Sequence, residues 1–343
     1  MISATRPLGA TGFDLTTVGF GAWATGGGGW SFGWGPQDDE ASIAAIRRAV
    51  ESGVNWVDTA AIYGLGHSEE VVAEALAPFS DADRPYVFTK CGLRWDDGDP
   101  MAPARRVGRP ESIRWEVEQS LRRLQVEGID LYQMHWTPED GAPVEDYWGT
   151  MLELKAEGVV AAVGLSNHTV EEVSAASRIG HVDSLQPPLS LINREAAGGL
   201  VSWCAEHHTG VIAYSPMQSG LLTGSFSRAR VEALAPDDWR ARNPNFTGEG
   251  LERNLALAEA LRPIAERHGV TPAAVAVAWV LAWPGVTGAI VGARSPEQVD
   301  SWVAAADLEL PAADLDELAR AISATRAGSG PARPPAPDSA TRS

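Results

Sequence analysis

The sequence predicts a protein of the α/β class, a single (β/α)8 TIM barrel with an N-terminal β-hairpin that closes the barrel floor. Three observations support this prediction. Short β-rich apolar runs alternate with longer segments of helical periodicity, the alternation gives eight strands, and 44% of the 343 residues are hydrophobic, enough for a large core. Strand–helix alternation implies parallel strands with right-handed crossovers, and eight such units indicate a closed barrel.

The hairpin is predicted from residues 3–16, which contain Gly9 and Gly12. The first helix begins near Pro36 with acidic residues that favour the positive end of the helix dipole, and it stops at Gly53. Further helices are predicted over residues 69–77, with Ser68 as the N-cap, and over 110–127 and 144–157. The eight strands are predicted at residues 17–20, 54–57, 86–89, 129–134, 160–165, 182–185, 211–214 and 287–291.

A doubly wound dinucleotide-binding sheet is the alternative architecture. It requires a Gly-x-Gly-x-x-Gly turn directly between the first strand and its helix. The glycines available here are Gly19, Gly21 and those at 26–29, whose spacing differs, and the connection continues to about Asp38. The connection is too long for a tight phosphate turn, so the sequence favours the barrel.

The barrel is predicted to occupy residues 1–323 as one domain. Residues 324–343 are rich in Ala, Pro, Ser, Arg and Gly, a composition typical of a disordered C-terminal tail.

The charge balance is strongly acidic, with 27 basic and 45 acidic side chains and a formal net charge of −18. Such a field disfavours nucleic acid and anionic membranes as partners, and a polyanionic ligand would need a local cationic pocket. Cys91 and Cys204 are too few for a disulfide framework. Without a signal-like N-terminus or an apolar run long enough to span a membrane, a cytoplasmic location is expected.

Polar side chains follow consecutive predicted strands. Asp58 ends the second strand, Lys90 the third and His135 the fourth, and Tyr63 lies in the loop after Asp58. The carboxyl ends of barrel strands meet at one rim, where catalytic groups of this fold lie. Only Lys90 and Lys155 are lysines among the 27 basic residues, which favours a specific need for an ammonium at position 90.

This set is suited to delivering a proton to a carbonyl oxygen. A free phenol has a pKa of about 10, and a nearby ammonium is expected to lower it. Asp58 would keep Lys90 charged, and a neutral His135 would donate a hydrogen bond to the carbonyl. Positioned acid–base catalysis contributes roughly 100- to 10,000-fold.

The segments that contain these residues resemble the aldo-keto reductase family, in the bacterial branch of the inositol-operon reductases and near the potassium-channel β subunits. The resemblance covers roughly residues 6–322, in order. The matching segments are residues 58–64, 66–69, 87–90, 130–136, 164–167, 186, 214–216, 220–224 and 292–298.

The resemblance implies NADP(H) as cofactor, no metal, and interconversion of carbonyls and alcohols, with Asp58, Tyr63, Lys90 and His135 as the catalytic tetrad. Within the family, the matching positions hold the nicotinamide, the pyrophosphate and the adenosine phosphate. The implied cofactor-binding residues are Gly21, Ala22, Trp23, Asp58, Ser166, Asn167, Gln186, Tyr214, Ser215, Pro216, Met217, Gly220, Leu221, Gly292, Arg294, Gln298 and Trp302.

Arg294 precedes a helix that opens Ser295-Pro296-Glu297, so a guanidinium and backbone donors are available to a phosphate. Three positions depart from the family pattern. Trp302 stands where Asn is frequent and could stack on the adenine, while Leu189 replaces a common Tyr and His168 a usual Phe.

Tryptophans concentrate in the loops after strands one, three and four. They form either the walls of a pocket for an apolar or sugar substrate, or the packing that holds long loops on the barrel. These candidate pocket residues are Trp23, Trp30, Trp34, Trp95 and Trp136.

Two other functions are considered. A redox-sensing, cofactor-binding regulatory subunit would keep the same four residues with little turnover. A metal-dependent hydrolase would need clustered His and carboxylate ligands, whereas the seven histidines are scattered. The expected partner is a small carbonyl or sugar substrate, and the sequence leaves its identity, the direction of reaction and the oligomeric state open.

Overall fold

A computed structural model describes residues 2, 4–80, 82–235 and 238–335. Its strands, in chain order, are β1 (Thr5–Pro7), β2 (Asp14–Thr16), β3 (Val18–Gly21), β4 (Trp56–Asp58), β5 (Tyr86–Cys91), β6 (Leu93–Arg94), β7 (Arg105–Arg106), β8 (Ile129–Met134), β9 (Val160–Ser166), β10 (Ser184–Gln186), β11 (Gly210–Tyr214) and β12 (Val286–Gly292).

Eight of these strands close a parallel barrel in the order β3-β4-β5-β8-β9-β10-β11-β12, with β12 pairing back to β3. The predicted barrel is therefore confirmed. The sequence located its strands to within about two residues because each is a short apolar run buried on both faces.

Helices surround the barrel. They are α1 (Asp39–Glu51), α2 (His67–Leu76), α3 (Pro110–Leu124), α4 (Val144–Ala156), α5 (Val170–Ser177), α6 (Leu200–Glu206), α7 (Arg228–Glu232), α8 (Gly248–Glu259), α9 (Arg262–His268), α10 (Pro272–Leu281), α11 (Pro296–Trp302) and α12 (Ala312–Thr325). In the described part of the chain, none is long and apolar enough to cross a membrane.

The β1–β2 hairpin closes the barrel floor, as predicted. Its strands pair antiparallel, and Leu8 and Leu15 are fully buried among the side chains of the barrel interior, including Trp56 and Phe88. Arg6 ties the hairpin to the barrel by donating to the carbonyl oxygens of Leu281 and Val286, at 3.0 and 2.7 Å.

Ser68 is not the N-cap of α2, which the sequence predicted. The helix begins at His67, two residues before the predicted start, and its N-cap position is Gly66 with a positive φ of 106°. The Ser68 hydroxyl instead lies 2.8 Å from the Ala22 carbonyl oxygen and 2.9 Å from the Thr59 hydroxyl. It therefore joins α2 to the ends of β3 and β4.

The chain after residue 323 also differs from the prediction of a disordered tail. Helix α12 continues to Thr325, and Ala327 beyond it is buried. The guanidinium of Arg194 donates to the carbonyl oxygens of Ala327 and Gly330, at 3.1 and 3.2 Å. The composition of the C-terminal segment gave no indication that Arg194 binds it. Residues 336–343 of the predicted tail lie outside the described part.

Candidate active site

The carboxyl ends of neighbouring barrel strands bring the predicted polar residues together. Asp58 is the last residue of β4, Lys90 lies near the end of β5, and His135 directly follows β8. Tyr63 opens a short 3-10 turn after β4 and points back to this rim, with its ring 5.7 Å from that of His135. The four side chains thus form one cluster.

The ammonium of Lys90 organises the cluster. It is 1% exposed and donates to an Asp58 carboxylate oxygen at 2.5 Å, to the Thr59 carbonyl oxygen at 2.8 Å and to the Tyr63 hydroxyl at 3.3 Å. Three N–H groups meet three acceptors. The geometry sets one positive charge beside the phenol oxygen.

The second carboxylate oxygen of Asp58 accepts from two amides, Gln186 at 2.8 Å and Gln133 at 3.2 Å. Gln186 also donates to the Gln133 side chain at 3.1 Å. Gln133 was not predicted from the sequence, although its position gave a signal. It is a polar residue inside a buried strand, in register with Lys90 on the neighbouring strand.

Burial sets the protonation of the cluster. It raises the pKa of Tyr63 well above that of a free phenol, and the nearby Asp58 carboxylate raises it further. The expectation of a lowered pKa is therefore wrong for the free protein, since desolvation of the phenolate is the largest effect on it. Tyr63 consequently keeps its proton at neutral pH.

His135 and Lys90 respond to the same burial. Desolvation lowers the pKa of His135 well below its ordinary value, and the charge on Lys90 adds to this effect. The imidazole is therefore neutral at physiological pH, as expected from the sequence. Burial also lowers the pKa of Lys90, and the contact with Asp58 opposes that change.

The cluster opens into a cavity of about 910 Å³. Tyr63 and His135 lie at one end, here called the tyrosine end, whose walls include Trp23, Trp30 and Trp136. The ring of Trp23 is stacked 6.2 Å from that of Tyr63, and Trp30 lies 6.4 Å from it. The volume of the cavity is within the range found for sites that bind small molecules.

Two of the predicted pocket tryptophans have other surroundings. Trp34 also lines the cavity, but it lies nearer the far end, where the guanidinium of Arg240 is 4.6 Å over its ring. Trp95 is not among the described residues that line the cavity. Its indole N–H donates to Asp97 at 2.9 Å, and its ring packs outside the wall against the Trp30 cluster.

The middle of the cavity carries most residues that the resemblance assigned to a cofactor. Asn167 has a positive φ of 60° and donates to the His135 carbonyl oxygen at 3.0 Å, while Tyr214 donates to its side chain at 2.7 Å. The predicted cofactor residues that line the cavity are Gly21, Ala22, Trp23, Asp58, Ser166, Asn167, Gln186, Tyr214, Ser215, Pro216, Met217, Gly220, Gly292, Arg294, Gln298 and Trp302.

Leu221 is the exception within that set. It is fully buried in the hydrophobic core and is absent from the described lining of the cavity. Trp302 contributes to the lining, but it is 0% exposed and its indole nitrogen has no hydrogen-bond partner in the described structure. It exposes no ring face on which an adenine could stack without a rearrangement.

The far end of the cavity is cationic. Arg230, Arg240 and Arg294 all line it and form what is here called the arginine end. Burial lowers the pKa of Arg294, and the charges of Arg240 and Arg230 lower it further, whereas Asp238 raises it. Arg230 and Arg240, which lie in the long connection after β11, were not predicted from the sequence.

In this structure the guanidinium of Arg294 is bound to the loop between β3 and α1. It donates to the Gln37 side-chain oxygen at 2.5 Å, to the Trp34 carbonyl oxygen at 3.5 Å and to the Pro36 carbonyl oxygen. The Gln37 amide donates in return to the Arg294 carbonyl oxygen at 3.1 Å. A phosphate at Arg294 would compete with Gln37.

Comparison with known proteins identifies related chains along nearly the whole length. The model of the Aldo/keto reductase family matches residues 17–323. The aldo-keto reductase YhdN of Bacillus subtilis is 33% identical over 292 residues, covering 85% of each chain. An NADH-specific methylglyoxal reductase of Escherichia coli is 33% identical over 330 residues, covering 92% of this chain and 98% of the relative.

Solved structures agree with the architecture. A glycerol dehydrogenase from Gluconobacter oxydans has a TM-score of 0.82 at 35% identity, covering 98% of this chain and 100% of its own. An aldo-keto reductase from Bacillus halodurans has a TM-score of 0.73 at 24% identity, covering 95% and 96%. The second likeness supports the barrel fold alone.

Proposed function

The chain belongs to the aldo/keto reductase family, and we propose that it is an NADPH-dependent reductase of aldehydes, ketones or sugars in which Tyr63 donates the proton. The enzymes of this family are oxidoreductases that act on carbonyl or alcohol groups. The observation that carries the proposal is the buried contact of Lys90 with both Asp58 and Tyr63 at one end of a large cavity.

The donor set of the cavity fits a nicotinamide dinucleotide. Amide and hydroxyl groups of Ser166, Asn167 and Gln186 would hold the carboxamide, and the Tyr214 ring would stack on the nicotinamide. The segment 215–220 would hold the pyrophosphate, with Arg294 at the adenosine phosphate. The bound cofactor supplies the hydride that the carbonyl carbon receives.

The side chains of the tyrosine end would deliver the proton. A substrate carbonyl oxygen between Tyr63 and His135 accepts a hydrogen bond from the neutral imidazole. As negative charge develops on that oxygen, the Tyr63 hydroxyl transfers its proton to it. The resulting phenolate is stabilised by Lys90, whose ammonium lies 3.3 Å from the hydroxyl oxygen in the free protein. Asp58 offsets the cost of keeping that ammonium charged in a buried site.

Preference for NADPH over NADH is proposed from the arginine end. The two cofactors differ by one phosphate on the adenosine ribose, and a protein of net charge −18 repels that group unless a local cation binds it. Arg230, Arg240 and Arg294 supply such a cluster. One similar protein is named NADH-specific, which makes this preference the part of the proposal to test first.

The proton-donor role is tested by Tyr63→Phe. We expect turnover with NADPH and a panel of aldehydes, ketones and sugars to fall at least about 100-fold, because the variant lacks the transferable proton. Cofactor affinity, measured by fluorescence titration, should stay near the wild-type value. Near-normal turnover in the variant would show that another group donates the proton, and negligible turnover of the whole panel by the wild type would favour the regulatory-subunit alternative.

Cofactor choice is tested by Arg294→Ala, with Gln37→Ala as its counterpart. A charge-assisted hydrogen bond contributes about 1.5–3 kcal/mol, so losing Arg294 should weaken NADPH binding roughly 10- to 100-fold and leave NADH nearly unaffected. Gln37→Ala removes the competitor for the same guanidinium and should strengthen NADPH binding. Titration of both cofactors measures these changes. If Arg294→Ala weakened the binding of both cofactors equally, the role of Arg294 would instead be to hold the loop between β3 and α1.

A further inference from the structure

Two charged side chains lie at the rim of the tyrosine end, and the proposed proton transfer does not use them. Arg106 and Glu139 both line the cavity, and their side chains form an ion pair of 2.6 Å. The guanidinium of Arg106 also lies 4.5 Å over the ring of Trp136, which directly follows His135. The pair therefore borders the space that a substrate would fill.

The pair is held between two loops that are packed together. Arg106 lies on β7, which pairs with β6 after β5, and the Glu139 backbone N–H donates to the Arg106 carbonyl oxygen at 3.1 Å. At Gly108, an added Cβ would come within 2.4 Å of the Pro138 side chain. Since the two loops approach this closely, the backbone segments that carry the two side chains are held together before a ligand arrives.

Each member of the pair keeps unused hydrogen-bonding capacity. Within the described structure, Nε and Nη2 of Arg106 have no partner, and neither does the second carboxylate oxygen of Glu139. A hydroxyl group both donates and accepts, so it can bind the guanidinium and the carboxylate together. An alkyl chain at the same place would gain neither contact.

The charges at this end of the cavity are balanced. Lys90 faces Asp58 and Arg106 faces Glu139, whereas the arginine end has an excess of cations. A negatively charged substrate would meet Glu139 and the net charge of −18 without an uncompensated cation to bind it. Trp136, which is partly exposed, and Trp30, which is 3% exposed, line the same end and can contact the C–H surface of a substrate.

We infer that Arg106 and Glu139 determine substrate specificity, selecting neutral polyhydroxylated carbonyl compounds over their deoxy and anionic counterparts. This inference rests on the proposed function, because it concerns the substrate of that same site. The hydroxyl groups beyond the reacting carbonyl bind across the ion pair, and the carbon chain packs on the tryptophans.

The experiment compares three four-carbon aldehydes, erythrose, butanal and succinate semialdehyde, by kcat/KM in the full-length protein. The variants are Arg106→Met and Glu139→Gln. Arg109→Met is the matched control, since Arg109 lies on the same loop and pairs with Asp140 at 3.7 Å, outside the cavity lining. Binding of erythritol and of 1-butanol to the cofactor-saturated protein is measured in parallel by calorimetry.

We expect the wild type to prefer erythrose to butanal, and Arg106→Met to reduce this ratio about 10- to 100-fold. Glu139→Gln should reduce it less, and should raise the ratio of succinate semialdehyde to butanal about tenfold because Arg106 loses its counter-charge. Arg109→Met should leave both ratios unchanged.

Ratios that stay the same in Arg106→Met and Glu139→Gln, or a wild type that prefers butanal or succinate semialdehyde, would overturn the inference while the proposed function stands. If no aldehyde is reduced, the proposed function fails, and calorimetry decides about the pair. Weaker erythritol binding in Arg106→Met then supports its role, and unchanged binding refutes it.

Discussion

At the scale of single residues, the ammonium of Lys90 has three N–H groups and three acceptors, on Asp58, Thr59 and Tyr63. A guanidinium is planar and larger, and its donors diverge in a fixed fork. It could not place one compact charge at the centre of these three oxygens. The requirement for lysine is therefore geometric as well as electrostatic.

Replacing Lys90 by arginine should consequently fail to preserve activity. We expect Lys90→Arg to reduce carbonyls as slowly as Lys90→Met, at least about 100-fold below the wild type. Lys155→Arg is the matched control, because Lys155 forms a partly exposed ion pair with Asp183 at 2.6 Å, far along the chain from the cluster. Steady-state rates with NADPH measure the effect. Substantial activity in Lys90→Arg would show that any positive charge at this position is sufficient.

How well the site could be predicted differs between its residues. Asp58, Lys90 and His135 were predictable because each marks the end of a recognisable strand. Gln133 was missed because an amide inside an apolar strand carries no motif of its own. The shifted pKa of Tyr63 was mispredicted because sequence gives the neighbours of a phenol but not the extent of its desolvation.

At the scale of elements, the C-terminal segment is attached to the loop after β10. The backbone N–H of Arg194 donates to the Ser329 carbonyl oxygen at 3.0 Å, and its guanidinium also binds the carbonyl oxygen of Leu191 in that loop. Gly330 has a positive φ of 95°, and an added Cβ would lie 2.5 Å from the Arg194 carbonyl carbon. The segment is thus packed against the loop after β10.

Removing this attachment should destabilise the protein. In Arg194→Ala, the carbonyl oxygens that the buried guanidinium satisfied lose their partner, so we expect a loss of about 2 kcal/mol in the free energy of unfolding. Arg178→Ala is the control, because Arg178 is exposed on the surface. Urea unfolding of both variants gives the comparison. An equal stability of the two would show that the guanidinium contributes little to holding the segment.

At the scale of the whole molecule, the barrel was predictable because eight buried strands impose a repeated apolar pattern. The connection between β11 and β12 was not, because its helices α7–α9 interrupt that repeat. This connection carries Arg230 and Arg240, so the cationic character of the arginine end emerged only from the folded structure. Arginines that are distant in the sequence and meet only in the fold form no local sequence motif.

That uneven distribution of charge has a consequence for how a ligand arrives by diffusion. The molecule as a whole repels anions, and the arginine end attracts them, yet at physiological ionic strength these fields extend only about 8 Å. A polyanion that diffuses toward the cavity is therefore neither attracted nor repelled strongly at distances beyond this range. Its orientation is decided in the last ångströms before contact, when its most negative part meets the arginines and its neutral part is left facing the tyrosine.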